Sequence, residues 1–524
     1  MKQLITLCLL LIITSASAQT WDMVITNGKI LDGTGNGWYK SDIGIKNGKI
    51  TAIGNLSDKD AGQKIDATGL YISPGFIDVH AHIEGGEFRN PAATNFLLGG
   101  VTTVVTGNCG GSELNLRKYF NRLDSIGMGI NVASLVGHNS IRRAVIGDAM
   151  RDPSEDELIK MEALVSTAMK EGAAGLSTGL IYVPGTFAKT GEIIRLASKA
   201  AAAGGVYASH IRDEGDHVKE AVTEAITIGK EAGLPAQISH FKVTYKPNHG
   251  RSVETLALVE EARKSGLDVT IDQYPYIASS TTLDQTMPSW AFSGGRDSLK
   301  WRLNNPAIRS RIKKDMISQL KRKQLNNFSY AVIARFPPDS ALNGLNISEV
   351  NLKKGRKANM DNEAETIMEL IAAADRTQMV FFSMAEADLE RIMKYPHNMI
   401  ASDAGIAVVG SGVPHPRAYG TNSRVLGKYV REKGIITLEE AVRRMTSLPA
   451  RKFGLKDRGM IMEGMSADLI VFDDKTIADE ATFSRPHRFA SGIKLVIVNG
   501  EIAAQDGKPS EKRYGKSLRH FSSN

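Results

Sequence analysis

The chain reads as an α/β protein built on a (β/α)8 TIM-like barrel. A small composite β-sandwich domain drawn from both termini and an insertion between strands seven and eight complete the expected architecture. Three observations predict it. Eight strand-like runs alternate with helical stretches between residues 76 and 403. The segments flanking them are rich in short alternating runs and turn glycines, and Asn27-Gly28-Lys29-Ile30 is worded like Asn499-Gly500-Glu501-Ile502. The stretch 274–398 is too long for one connecting helix.

Residues 1–18, MKQLITLCLLLIITSASA, have a basic start, an apolar run and a small-residue Ala16-Ser17-Ala18 end. They predict a cleaved signal peptide and an exported, periplasmic or secreted protein. The run is shorter than the ~20 residues a bilayer span needs, so no membrane span is expected. Cleavage removes Cys8 and leaves Cys109 as the one cysteine, which excludes an internal disulfide. Residues 19–75 and 458–510 are expected to form the composite β domain, because Ala467 to Phe472 and Ile493 to Val498 read as strands and Asn499-Gly500 as a hairpin turn.

Residues 76–457 are expected to form the barrel. Its strands are Phe76 to His82, Val101 to Thr106, Asn131 to Val136, Ala173 to Ser177, Val206 to His210, Ala236 to His240, Asp268 to Gln273 and Met399 to Asp403. Helical stretches such as Glu155 to Lys170, Ile193 to Ala203 and Val253 to Lys264 separate them. The inserted subdomain spans 281–395. It carries a basic run, Arg296 to Lys323, with ten Lys or Arg and two Asp, which reads as a solvated helix face or as a lid attracting an acidic substrate. The 524 residues are 42% hydrophobic and 23% charged, which excludes a disordered chain. The net charge of +8 is mild for this length and comes with no compact basic domain, so no nucleic-acid partner is expected.

Barrel active sites lie at the C-terminal ends of the strands, and that is where the chemistry-bearing residues fall. Strand one ends His80-Ala81-His82, whose imidazoles share a face because residues i and i+2 do. Strand two runs into Thr106-Gly107-Asn108-Cys109, strand five ends Ser209-His210-Ile211-Arg212, strand six Ser239-His240-Phe241-Lys242 and strand eight Ala401-Ser402-Asp403. A single such histidine is usually a hydrogen-bonded core residue, and a lone cysteine usually packs as a small hydrophobe. Several at one end of five strands point to a metal site, and imidazole with thiolate suits Zn2+.

These strings resemble the amidohydrolase superfamily, through the run Pro74 to His82, and within it the D-aminoacylase (N-acyl-D-amino-acid deacylase) family. The specific strings are GVTTVVTGNCG (Gly100 to Gly110), GLIYVPG (Gly179 to Gly185), YASHIRDE (Tyr207 to Glu214), ISHFK (Ile238 to Lys242), DQYPY (Asp272 to Tyr276), ASDAG (Ala401 to Gly405) and HPRAYGTNSRVLGKYVRE (His415 to Glu432). The resemblance implies a tight zinc held by Cys109, His210 and His240, and a weaker second position at His80 and His82. The fourth strand has no lysine to bridge two metals, so a bridging cysteine is the consistent reading and a hydantoinase-like one loses ground. The resemblance leads to glycine as the expected residue at Asn139.

The implied activity is zinc-dependent hydrolysis of N-acyl-D-amino acids, small molecules with a free carboxylate. Zinc makes water a nucleophile near neutral pH and polarises carbonyls. Asp403 is the expected base and then acid. Lys242 shares a face with His240, and the resemblance sets Arg417 and Tyr274 beside it to hold the substrate carboxylate, with Ser280 adding a hydrogen bond. Arg212 is expected to brace Asp213 or Glu214. Tyr182 and the run Met287 to Trp290 are expected to line an apolar side-chain pocket. Members selective for acidic D-residues carry an arginine near Thr286, and none stands there. Apolar D-substrates are therefore expected to be preferred. The competing readings are a cyclic-amide hydrolase, a dipeptidase, or a non-catalytic binding protein that kept the fold.

Overall fold

The computed structural model describes residues 21–56 and 61–520, so the signal-peptide expectation lies outside the described residues. Among the described residues no helix is long and apolar enough to cross a membrane.

Nine strands share one sheet at the chain ends: Trp21–Ile30, Tyr39–Lys46, Lys49–Gly54, Ala61–Asp66 and Tyr71–Pro74 with Leu469–Phe472, Ile493–Val498, Glu501–Gln505 and Lys508–Pro509. Trp21–Ile30 pairs with Ala61–Asp66 over its first half and with Tyr71–Pro74 at Lys29 and Ile30, and its ladder to Tyr39–Lys46 is bulged between Ile25 and Gly28. A bulge bends a strand, so one continuous sheet encloses a core of Ile25, Ile43, Ile45, Leu469, Val471, Leu495 and Ile497. The intervening residues Ile470, Phe472, Val496 and Val498 face the other way, into the main core. Both faces of these strands are covered, which is why LIVF and LVIV carry no polar alternation.

The central strands form two parallel sheets. One runs in the order Asn398–Ile400, Val269–Gln273, Ala236–Ile238, Val206–His210, Gly175–Gly179, Val136–Gly137, and the other Phe76–Asp78, Val101–Thr106, Asn131–Ser134. Only Leu135 separates Asn131–Ser134 from Val136–Gly137, and a parallel bridge joins Ala81 to Ala404. Helices such as Glu155–Lys170, Thr190–Ala201, Val218–Ala232 and Ser252–Lys264 connect the strands. Glu155–Lys170 starts at a capping box, with Ser154 bonded to the Glu157 backbone and Glu157 returning to Ser154. Past residue 510 the chain leaves the nine-stranded sheet and runs along Asn131–Ser134, with Leu518 N donating to Val132 O at 2.8 Å.

The inserted segment has its own antiparallel sheet, Ala278–Thr282, Gln378–Phe382 and Ala331–Arg335, and a separate core including Leu299, Ile312, Met316, Ile333, Ile367 and Met379. It starts at Ala278 rather than 281. It also ends before 395, because helix Glu386–Met393 turns Leu389, Ile392 and Met393 into the main core. The basic run forms helices Gly295–Asn304 and Pro306–Arg322, whose apolar stripe of Leu299, Leu303, Ile312, Met316 and Leu320 faces that separate core. Several of its cations are engaged within the segment: Arg309 and Lys313 pair with Glu365, and Arg302 donates to the carbonyls of Ala291 and Ser293.

Asp468 ties the terminal sheet to the strand Asn131–Ser134. It is buried, pairs with buried Arg458, and accepts from Asn131 Nδ2 at 3.0 Å and from Asn499 N at 2.6 Å. Removing one partner of a buried pair leaves an uncompensated charge. Asp468→Ala is therefore expected to lower unfolding free energy by about 3–5 kcal/mol in a denaturant melt.

Candidate metal centre

The strand ends bring the predicted side chains to one place. His80 and His82 leave strand Phe76–Asp78 locked to the eighth strand: Asp403 N donates to His80 O and His82 N to Ala404 O, both at 2.8 Å. The turn after Val101–Thr106 is held by Asn108, whose Nδ2 donates to Val79 O and Val105 O. It presents Cys109, whose Sγ lies 3.3 Å from His80 Nε2, 3.6 Å from His210 Nδ1 and 3.7 Å from His240 Nε2. Cys109, His240 and Asp403 all have positive φ, at 52°, 35° and 51°. Such backbone is held only where the surroundings impose it.

This donor set fits zinc. Ligands tetrahedral about Zn2+, at roughly 2.3 Å for sulfur and 2.0–2.1 Å for nitrogen, lie about 3.3–3.6 Å from one another. His80, Cys109 and His240 form one candidate group, His80, His82 and Asp403 a second, and His210, Glu214 and His240 a third. His80 belongs to the first two, so the structure places it between the positions rather than in the second alone. Burial opposes ionisation of the Cys109 thiol, but the His80 charge and hydrogen bonds from His210 and His240 hold it well below the ordinary thiol range. The Nδ1 of His80 and the Nε2 of His210, on the sides away from the sulfur, are buried and have no hydrogen-bond partner among the described residues.

Asp403 lies 3.1 Å from His82 Nε2 through Oδ1 and 2.7 Å from Arg417 Nη1 through Oδ2. Burial raises its pKa, but Arg417 and His80 outweigh that and keep it well below the carboxylate range. Arg417 also donates to Ser280 O at 3.1 Å and stacks on Tyr274, 4.6 Å from the ring centroid. Lys242 points elsewhere. Its Nζ is 2.6 Å from Glu214 Oε1 and 2.8 Å from His240 Nδ1, and it lies 5.4 Å from the Tyr274 ring.

A cavity of about 890 Å3 opens onto the centre, lined among others by His82, Cys109, Tyr182, Ser280, Asp403 and Arg417. Lys242 and Tyr274 stand behind this wall. Ser280 Oγ is bound to Met379 O and Gln378, within its own sheet. Tyr182 packs on His210, with ring centroids 4.9 Å apart. Of the Met287 to Trp290 run, Met287 and Ser289 reach the cavity. Trp290 turns away instead, bonded to Asp315 and covered by Arg311. Arg212 braces Glu224 at 2.9 Å and the carbonyls of Thr186 and Ala188, not Asp213 or Glu214, because its side chain turns toward helix Val218–Ala232.

Residues 63–294 and 357–504 match the Amidohydrolase family, and residues 11–75 match the Urease alpha-subunit, N-terminal domain. The D-aminoacylase of Alcaligenes xylosoxydans xylosoxydans is 35% identical over 528 residues, covering 96% of this chain and 99% of that one. The chain belongs to the D-aminoacylase family of amidohydrolases. The N-acyl-D-glutamate deacylase of the same organism is also 35% identical, covering 96% and 97% of the two chains. A crystal structure of D-aminoacylase matches with a TM-score of 0.81 at 35% identity, covering 95% of this chain and 100% of that one. The N-acyl-D-glutamate deacylase from Bordetella bronchiseptica, complexed with zinc and a phosphonate mimic of the tetrahedral intermediate, matches at 0.82 and 34% identity, covering 95% and 99%.

Within this family frame three carboxylates missed by strand-end reasoning orient the histidines. Glu214 Oε1 is 3.1 Å from His240 Nδ1 and 3.8 Å from His210 Nε2. Burial opposes its charge, but Lys242 and the two histidines lower its pKa. Asp272 Oδ1 accepts from His240 N at 2.9 Å and lies 3.5 Å from His80 Nδ1. Asp78 accepts from the backbones of His80 and Ser402. The available signal was Glu214 standing four residues after His210.

Cys109→Ala should lose bound zinc and activity while keeping its fold, read by elemental analysis beside a thermal melt. Unchanged zinc would remove the thiolate from the ligand set. A carboxylate on the far nitrogen of a ligating histidine typically carries 10–100-fold in metal affinity. Glu214→Gln should therefore weaken zinc retention by about that factor in chelator competition.

Proposed function

We propose that the chain is an exported zinc-dependent deacylase that hydrolyses the amide of N-acyl-D-amino acids to a carboxylate and a free D-amino acid. The observation that carries this reading is one thiolate at the cavity wall within 3.3–3.7 Å of three imidazoles, with Asp403 on the neighbouring imidazole. The relatives named above supply the substrate class, and residues 1–18 support export. The strand order supports one closed barrel of eight strands, since Leu135 alone interrupts the third strand and Ala81 bridges Ala404.

When bound, the zinc supplies electrophilic activation of the amide carbonyl and acidifies water. The chain's own groups do the rest. Arg417 lines the cavity and grips the substrate carboxylate, with Tyr274 holding its guanidinium flat from behind. Lys242, tied to Glu214 and His240, adds positive potential from the second layer rather than a direct contact. Asp403 Oδ1 accepts the proton of the attacking water and returns it to the amide nitrogen as the C–N bond breaks. Met287, Phe292 and Leu299 of the inserted segment give the D-side chain an apolar wall. Arg296, on the same wall, pairs with Asp375 and donates to the carbonyls of Ile371 and Ala374. One observation favours a second reading, an acidic side chain: Arg376 lines the cavity and has no ion pair among the described residues.

Asp403→Asn should keep its zinc and lose about 10²–10⁴ in kcat, and near-parental turnover would remove Asp403 from proton transfer. N-acetyl-D-Met and N-acetyl-D-Leu should be cut faster than N-acetyl-D-Glu and than their L-forms. Faster cleavage of N-acetyl-D-Glu would select the second reading and assign Arg376 to it.

A further inference from the structure

None of the roles above uses Asn139. Its side chain is buried at the wall of the main cavity. Nδ2 donates to Gly179 O at 3.0 Å and to Tyr182 O at 3.3 Å, and Oδ1 accepts from Gly179 N at 3.3 Å. A Cβ on Gly110 would lie 2.1 Å from Oδ1, and one on Gly185 2.5 Å from it. Asn139 therefore fills the space between the Cys109 turn and the loop 179–185, and fixes that loop by its backbone. The loop carries Tyr182, which packs on His210 and whose hydroxyl lies 3.1 Å from Thr281 Oγ1 of the inserted sheet.

The connectivity of the substrate says what meets this wall. In an N-acyl amino acid the carboxylate-bearing carbon and the acyl group leave the scissile C–N bond in opposite directions. Arg417, the carboxylate's cation, pairs with Asp403 just past strand Asn398–Ile400. Tyr182 follows strand Gly175–Gly179, four strands away in the sheet order. A substrate held at Arg417 with its amide at the metal ligands sends its acyl group toward Tyr182 and Asn139.

We infer that Asn139 determines acyl-group specificity: it positions Tyr182 and narrows the acyl subsite, so that small N-acyl groups are favoured. The inference rests on the deacylase reading above. It is tested with zinc-loaded wild type, Asn139→Gly, Asn139→Ser and Asn139→Asp on N-acetyl-D-Met and N-benzoyl-D-Met. In Asn139→Gly the ratio of kcat/KM for the benzoyl over the acetyl substrate should rise about tenfold or more, the scale of a methylene-sized change in a pocket. The gain should appear as a lower KM for the benzoyl substrate. Asn139→Ser should show a smaller rise and covers the case of a poorly folded glycine variant. Asn139→Asp keeps the volume and loses the donors that fix the loop, so the ratio should rise here too, by less than in Asn139→Gly. Folded, zinc-loaded Gly and Ser variants with the parental ratio would overturn the inference and leave the deacylase reading standing. A wild type inactive on both substrates would overturn the deacylase reading, and this inference with it.

Discussion

The structure depends on holding one ionised sulfur among three imidazoles at the wall of the cavity. An unpaired buried charge is strongly unfavourable, so everything around Cys109 is arranged to keep it paired. The nitrogens of His80, His210 and His240 close on it from three strands. The left-handed backbone of Cys109 and His240 is the local cost of aiming both side chains inward. Parallel strands end together at one face, so residues far apart in sequence meet there without long loops. Glu214, 3.1 Å from His240 Nδ1, then sets which nitrogen of that histidine faces the sulfur.

A second arrangement is built on the first. The two cations nearest the centre are each bound to a carboxylate, Lys242 to Glu214 and Arg417 to Asp403. Of these two, only Arg417 belongs to the cavity wall. The inserted segment supplies the facing wall, with its own core and its own sheet. Tyr182 and Thr281 join the two walls by a hydrogen bond.

Much of this was legible in the sequence for a physical reason. Strand ends are read from apolar runs, and the residue after each run falls at the same face of a parallel sheet. His80, His82, Cys109, His210, His240 and Asp403 could therefore be gathered before any coordinates, and the structure brings them together. What could not be read is side-chain direction beyond the strands. Lys242 shares a strand face with His240, yet Glu214 pulls its ammonium back from the cavity. Arg212 lies next to acidic neighbours but reaches Glu224 on the following helix. Trp290 sits beside the lining Met287, but the 3-10 turn Ser289–Phe292 rotates it toward Asp315. The bulge at Ile25 to Gly28 falls on Asn27-Gly28, but that pair does not tell that Trp21–Ile30 passes from Ala61–Asp66 to Tyr71–Pro74.

The most direct test of the central claim is the X-ray absorption spectrum of the purified protein at the zinc edge. A thiolate held with imidazoles predicts one sulfur scatterer at about 2.3 Å and nitrogen scatterers at about 2.0–2.1 Å. A first shell of nitrogen and oxygen alone would place Cys109 outside the metal site and contradict the account.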